Sequence, residues 1–314
     1  MAVPQSPLVL VVVGPTAVGK TEVALEVAER LGGEIISADS RQVYREFDIG
    51  TAKPTPQERA RVPHHLVDFL DPRATYSVAE FCAAAKDLVE RLWNEGKVPL
   101  VVGGTGLYVR GFMEGWTFGG VPAEPSLRAH LEERAQREGI EALWEELHRL
   151  DPETAQRLSR QDRKRIVRAL EVCLLTGQPL SRFLREQGRR PPSFRFLPFA
   201  LTLPRPLLYQ RINRRVLRML EAGWLEEVKR LAARGYDERT PAMESVGYRP
   251  LLRAVRGEIS LDEAIPEIQR ETRRYAKRQL TWFRAQPGLR WIDRSQEEPV
   301  GLLVEAFREA LGEA

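Results

Sequence analysis

Residues 8–21 read LVLVVVGPTAVGKT, and the fold follows from this stretch. Leu8–Val13 is an unbroken apolar run rich in β-branched residues, as a strand buried on both faces requires. GPTAVGKT at 14–21 fits the pattern GxxxxGK[ST] and opens a helical period that runs to about Leu31. Strand, glycine-rich loop and helix in that order make a phosphate-binding loop. Its glycines let backbone N–H groups wrap a phosphate, and the helix N-terminus adds partial positive charge. The polyphosphate-binding candidates are therefore Gly14, Pro15, Thr16, Ala17, Val18, Gly19, Lys20 and Thr21. Lys20 reaches further phosphate oxygens, and Thr21 is the expected protein ligand of a Mg²⁺.

Working outward, EIISA at 34–38 is a second short strand, and 40–63 reads mostly as loop. SVAE at 77–80 is a capping box that opens an amphipathic helix, which Gly96 stops. VPLVV at 98–102 is a third buried strand. It ends in GGTG, not in the acid that would hold Mg²⁺ in an ATPase, so the loop is expected to hold a diphosphate that leaves. Alternating strands and helices mean a parallel sheet. From about Gly115 the texture changes: Gly119, Gly120, Val121 and Pro122 punctuate the chain, and 126–187 is helical without a strand. Pro191 and Pro192 break it, and FLPFALTL at 196–203 returns as a strand. Helices then run from Pro206 to Arg284, with a late strand at Leu289–Ile292. The predicted fold is α/β: a P-loop NTPase-like parallel sheet flanked by helices, with an inserted all-helical subdomain. Its expected domains are 1–115 with 196–314, and 116–195.

The chain has 314 residues, 43% hydrophobic and 29% charged, which excludes a disordered tail, a disulfide-stapled miniprotein and a fibre. Cys82 and Cys173 make neither a disulfide framework nor a cysteine zinc site. The opening MAVPQSP lacks a signal peptide's positive n-region, and no early apolar run is long enough for a bilayer. A cytoplasmic protein with no membrane segment is expected, and a monomer, because no dimer signature is visible.

The net charge of +4 announces no polyanion, but its distribution does. Between Arg157 and Arg195 stand eleven basic residues and three acids; between Arg270 and Arg290, seven and one. Either zone alone reads equally well as a solvated helix face. Only seven of the 48 basic residues are Lys, an excess of Arg that suits phosphate contacts and that a coding bias would also give. Trp282 and Phe283 interleave with Arg273, Arg274, Lys277, Arg278 and Arg284, the mixture that stacks and holds single-stranded bases. Core packing is expected for at least one of the two. Asp39 and Ser40 follow the second strand, on the edge where α/β sheets place ligands. That carboxylate can take a proton from a nucleophile or stand behind a Mg²⁺; its plain reading is a loop cap. The four histidines carry no metal pattern, and structural roles are expected for them.

Together these stretches resemble the bacterial tRNA dimethylallyltransferases, also called tRNA isopentenyltransferases. The likeness rests on GPTAVGKT at 14–21, ISADSRQVYREFDIGTAKP at 36–54, HHLVDFLDP at 64–72 and PLVVGGTGLYVRGFMEG at 99–115. It continues with DRKRIVRALEVCLLTGQPLS at 162–181, SVGYR at 245–249 and YAKRQLTWFR at 275–284. The resemblance implies transfer of a dimethylallyl group from dimethylallyl diphosphate to N6 of adenosine 37 in the anticodon stem-loop of tRNAs reading codons that start with U. It implies a catalytic set of Asp39 (the general base), Lys20, Thr21 and Thr105, with Mg²⁺ at Thr21 and Arg249 also on the diphosphate. It further implies tRNA contacts at Asp39, Ser40, Arg41, Gln42, Thr105, Arg128, Lys164, Arg165, Ile166, Val167 and Arg168, and at Ser245, Gly247, Tyr248, Arg249, Lys277, Arg278, Gln279, Trp282 and Arg284. Pro250 departs from the Glu or Gln usual after GY[KR] in this family, so contacts there are open. Two alternatives compete: a P-loop small-molecule kinase and a non-catalytic RNA-binding P-loop protein.

Overall fold

The computed structural model describes residues 6–116, 121, 124–187 and 192–312. Gly119, Gly120, Pro122, Arg189, Arg190 and Pro191, which punctuate the sequence around its helical stretch, lie outside the described residues. The chain divides into two compact units, Met1–Met113 with Pro192–Ala314, and Glu114–Pro191.

The first unit is built on six parallel strands: β1 (Leu8–Val13), β2 (Gly33–Ser37), β3 (His64–His65), β4 (Val98–Gly103), β5 (Arg195–Thr202) and β6 (Arg290–Asp293). Their order is β3-β2-β4-β1-β5-β6. Leu8, Leu10 and Val12 pack into one apolar layer and Val9, Val11 and Val13 into another, so the central strand is buried on both faces. This is why its sequence runs apolar without alternation. Among the described residues, α1 (Lys20–Leu31), α2 (Pro56–Arg61), α3 (Val78–Asn94) and α4 (Gly106–Met113) precede the insertion. The second unit holds α5 (Pro125–Arg137), α6 (Ile140–Leu150), α7 (Pro152–Arg157), α8 (Arg163–Thr176) and α9 (Leu180–Gln187) around a core of its own. The first unit resumes with α10 (Arg205–Glu221), α11 (Trp224–Ala233), α12 (Tyr248–Val255), α13 (Leu261–Arg284) and α14 (Pro299–Leu311).

Two short elements are among those that sequence reading missed. Helix α2 is a single capped turn and a half, set by a Thr55–Glu58 capping box inside a stretch that otherwise reads as loop. Strand β3 is two residues long, too short to carry a period, and exists because β2 offers it an edge.

The crossover from β4 to β5 passes from one side of β1 to the other. The chain thus reverses its direction of winding at β1, and the carboxyl ends of β1, β4 and β2 lie side by side. α/β sheets place ligands at such a point.

Candidate active site

Residues 14–21 leave the end of β1 and bend at Gly14 (φ 148°), Ala17 (φ 63°) and Gly19 (φ 96°), the last capping α1. A side chain at Gly14 would meet the Leu201 carbonyl of β5 at 2.6 Å, so only glycine fits there. The Lys20 ammonium donates to the Gly14 and Pro15 carbonyls, both at 2.9 Å. Burial pushes its pKa down to about 8; the Asp39 charge opposes this shift and the Arg215 charge adds to it. Outside the loop, Arg294 donates to the Val18 carbonyl at 2.7 Å and pairs with Glu22 at 3.2 Å.

Asp39 and Ser40 leave the end of β2 beside the Gly103–Gly106 turn of β4. The Thr105 N–H donates to the Ala38 carbonyl (3.1 Å), and its hydroxyl accepts the Ser40 N–H (3.0 Å). One Asp39 oxygen accepts the Arg41 N–H at 2.9 Å. The next loop is framed from inside. Buried Glu227 of α11 accepts the N–H groups of Asp48 (3.0 Å), Ile49 (2.8 Å) and Gly50 (3.4 Å), and the Tyr248 hydroxyl at 2.7 Å. Buried Lys53 donates to the Tyr44 carbonyl at 2.7 Å and pairs with Asp48 and Asp68. Such buried, fully partnered groups hold a loop as firmly as secondary structure does.

These parts wall one cavity of about 1250 Å³. Thr16, Ala17, Gly19, Lys20 and Thr21 form one wall; Asp39, Ser40, Arg41, Gln42 and Thr105 form another. α10 contributes Arg211, Arg215 and Arg218, and α13 contributes Tyr275, Arg278, Gln279 and Trp282. Lys20 and the three α10 arginines gather positive charge around the P-loop with Asp39 facing them, which is a receptacle for a polyanion beside a base. Burial also holds the Arg215 guanidinium below its ordinary value; Asp39 counteracts this and Arg218 reinforces it. The arginines stand at steps of four and three along one helix face, a spacing that was available in the sequence.

Other sequence-assigned residues fall elsewhere. Arg249 does not reach the P-loop: it is exposed on α12 and leans on the Glu238 carbonyl at 3.4 Å. Tyr248 is fully buried, its hydroxyl spent on Glu227, and burial together with that carboxylate raises its pKa. Gly247 is buried where a side chain would strike the Trp224 ring. Ser245 lines the cavity but is 5% exposed, with its hydroxyl on the Ala242 carbonyl. Gln279 lines the cavity at 6% exposure, with each end of its amide bound internally. Arg41 donates to the Pro241 carbonyl at 3.0 Å, and Gln42 to the Ala52 carbonyl at 2.9 Å. Of the suspected aromatic pair, Phe283 is core and Trp282 lies on the cavity wall against Gly106. Lys277 and Arg284 are exposed on α13, outside the wall.

In the second unit, Ile166 and Val167 are buried core residues of α8, which the exposed Lys164 and Arg165 precede. Arg128 and Arg168 both pair at 2.6 Å with the fully buried Glu171. Burial alone would raise the Glu171 carboxyl, but its hydrogen bonds from Arg128, Arg168 and the Glu124 N–H bring it below the usual carboxylate value.

Among the described residues, no three His, Cys, Asp or Glu side chains gather as a metal site, and no helix is long and apolar enough to cross a membrane.

Sheet, phosphate loop and cavity define a P-loop α/β protein that sets an anion-binding loop against a carboxylate. The sequence profile of the IPP transferase family matches residues 42–286. A protein of Carboxydothermus hydrogenoformans named tRNA dimethylallyltransferase is 47% identical over 301 residues, 96% of each chain. The crystal structure of full-length tRNA isopentenylpyrophosphate transferase from Bacillus halodurans covers 98% of this chain and 96% of its own, at 39% identity and TM-score 0.70. A eukaryotic dimethylallyltransferase acting on tRNA, at 24% identity, shares the fold over 98% of this chain and 81% of its own with TM-score 0.81. The chain belongs to the IPP transferase family, which favours prenyl transfer over the small-molecule kinase alternative.

Proposed function

We propose that this chain is a tRNA dimethylallyltransferase. It moves the dimethylallyl group of dimethylallyl diphosphate to N6 of adenosine 37, in the anticodon stem-loop of tRNAs that read codons starting with U. The observation that carries this reading is a cavity in which Lys20 and the arginines of α10 face Asp39. A carbon–oxygen bond to diphosphate breaks as the bond to N6 forms, so negative charge grows on the leaving group. P-loop N–H groups, Lys20 and Arg215 stabilise that charge from fixed positions. The exocyclic amine is a poor nucleophile because its lone pair is delocalised into the ring. Asp39 takes the N6 proton as the new bond forms, a contribution of roughly 10²–10⁴ in rate. The adenine leaves its stack to enter the cavity.

The donor set fits a Mg²⁺ held mainly by phosphate oxygens and water, with Thr21 as the protein ligand, since Mg²⁺ usually binds through few side chains plus substrate phosphates. Such an ion would neutralise charge on the departing diphosphate. The protein works as a monomer.

The test is a mass measurement. The protein is incubated with Mg²⁺, dimethylallyl diphosphate and an unmodified anticodon stem-loop carrying adenosines at positions 36–38. One added five-carbon unit on adenosine 37 is expected. Asp39→Ala should cut its formation by roughly 10²–10⁴ while stem-loop affinity stays within a few-fold. No mass gain, or near wild-type turnover in Asp39→Ala, would refute the reaction or the base.

A further inference from the structure

Gln279 lies on the inward face of α13, between Tyr275 one turn before it and Trp282 one turn after, both on the cavity wall. Its Oε1 accepts the Thr16 N–H of the P-loop at 2.8 Å, and its Nε2 donates to the Gly104 carbonyl at 3.0 Å. The amide orientation is fixed by these partners: turned over, it would set donor against donor and acceptor against acceptor. Gly104 is shaped to receive it, since a side chain there would come within 2.3 Å of Nε2. The next residue, Thr105, accepts the Ser40 N–H at 3.0 Å, and Asp39 stands beside Ser40. One side chain therefore joins the loop that cradles the anion to the turn that holds the base.

Building on the proposed transfer, we infer that Gln279 is a positioning residue that fixes the separation between the diphosphate cradle and Asp39. The reaction needs this. Leaving group, allylic carbon and N6 must stand in line, with the base within hydrogen-bond reach of the N6 proton. A misplacement of about 1 Å can cost a hundred-fold in rate with little change in binding. Both hydrogen bonds of Gln279 are internal, so it acts on the reacting groups through the loop and the turn that it joins.

The experiment compares wild type, Gln279→Met and Gln279→Glu under identical conditions. It measures turnover of the stem-loop, inorganic pyrophosphate affinity, stem-loop affinity and melting temperature. Gln279→Met keeps the length and loses both hydrogen bonds; its kcat is expected to fall about a hundred-fold, with both affinities within about three-fold of wild type. Gln279→Glu sets a carboxylate oxygen against the Gly104 carbonyl. Protonation turns that carboxyl into a donor and acceptor like the amide, so its rate relative to wild type at each pH should climb as pH is lowered. A general role in fold stability would carry the melting temperature along with that recovery, whereas a positioning role recovers the rate at unchanged melting temperature. Lost stem-loop affinity with kcat retained would overturn the inference and return Gln279 to RNA contact. A joint fall of affinities and melting temperature, recovering together at low pH or not at all, would overturn it in favour of fold support. If wild type itself transfers nothing, the transfer reading fails and takes this inference with it; failure in the variants alone leaves that reading standing.

Discussion

Lys20 spends its ammonium on the Gly14 and Pro15 carbonyls of its own loop, and burial lowers its pKa from 10.5 to about 8. The sign of the pH effect follows. Between about pH 8 and 10.5 the unfolded chain still holds a proton that the folded one has released, so this group makes stability rise with pH across that window. A diphosphate reverses the preference, because it favours the charged ammonium. Pyrophosphate binding above about pH 8 should therefore draw in a proton, and affinity should weaken as pH climbs further. Calorimetry in buffers of different ionisation enthalpy measures the proton directly. Lys20→Arg, whose side chain stays charged, supplies the control that removes the anion's own titration. Equal proton uptake in both proteins would discard the assignment to Lys20.

At the scale of elements, α10 sets the cation array and α12 does not. Arg215→Ala should weaken pyrophosphate binding roughly ten- to a hundred-fold, the range for a hydrogen bond to a charged group. Arg249→Ala should leave it within about two-fold. Titration of the two variants side by side decides between them, and the reverse ranking would contradict the cavity wall described here. The contrast also shows what sequence could carry. Residues 8–21 and the strand ends at Asp39 and Gly103 were legible because a buried parallel strand and a phosphate loop each impose a local pattern. Arg211, Arg215 and Arg218 have a local pattern too, but a basic stripe looks the same facing solvent as facing a cavity. Glu227 was hidden differently. It shares the buried stripe of Trp224, Val228 and Leu231, and its reason for being there, three N–H groups of residues 48–50, is some 180 positions away. Ile166 and Val167 went the other way: the resemblance carried 164–168 over as one contact stretch, within which apolar periodicity makes these two core.

Across the whole molecule, basic residues stand on the surfaces of both units: Arg270, Arg274, Lys277, Arg278 and Arg284 along α13, and Lys164 and Arg165 on α8. Stem-loop binding should accordingly weaken steeply with salt. Lys277→Ala should flatten the plot of log affinity against log salt by about one phosphate contact, a slope change of roughly 0.7–0.9, with pyrophosphate affinity unaltered. An unchanged slope would remove Lys277 from the RNA face. The order of the strands has a consequence for the newborn chain. β1 is paired on one side by β4, but its other side waits for β5, which is translated only after the entire helical unit. On the ribosome the helical unit, whose contacts are local, can therefore finish first while the older sheet still shows an open, wholly apolar edge. Arrest of synthesis before residue 195 would leave that edge available to other chains, so the insertion makes the interval of translation, more than the finished fold, the time when this protein is most prone to stick.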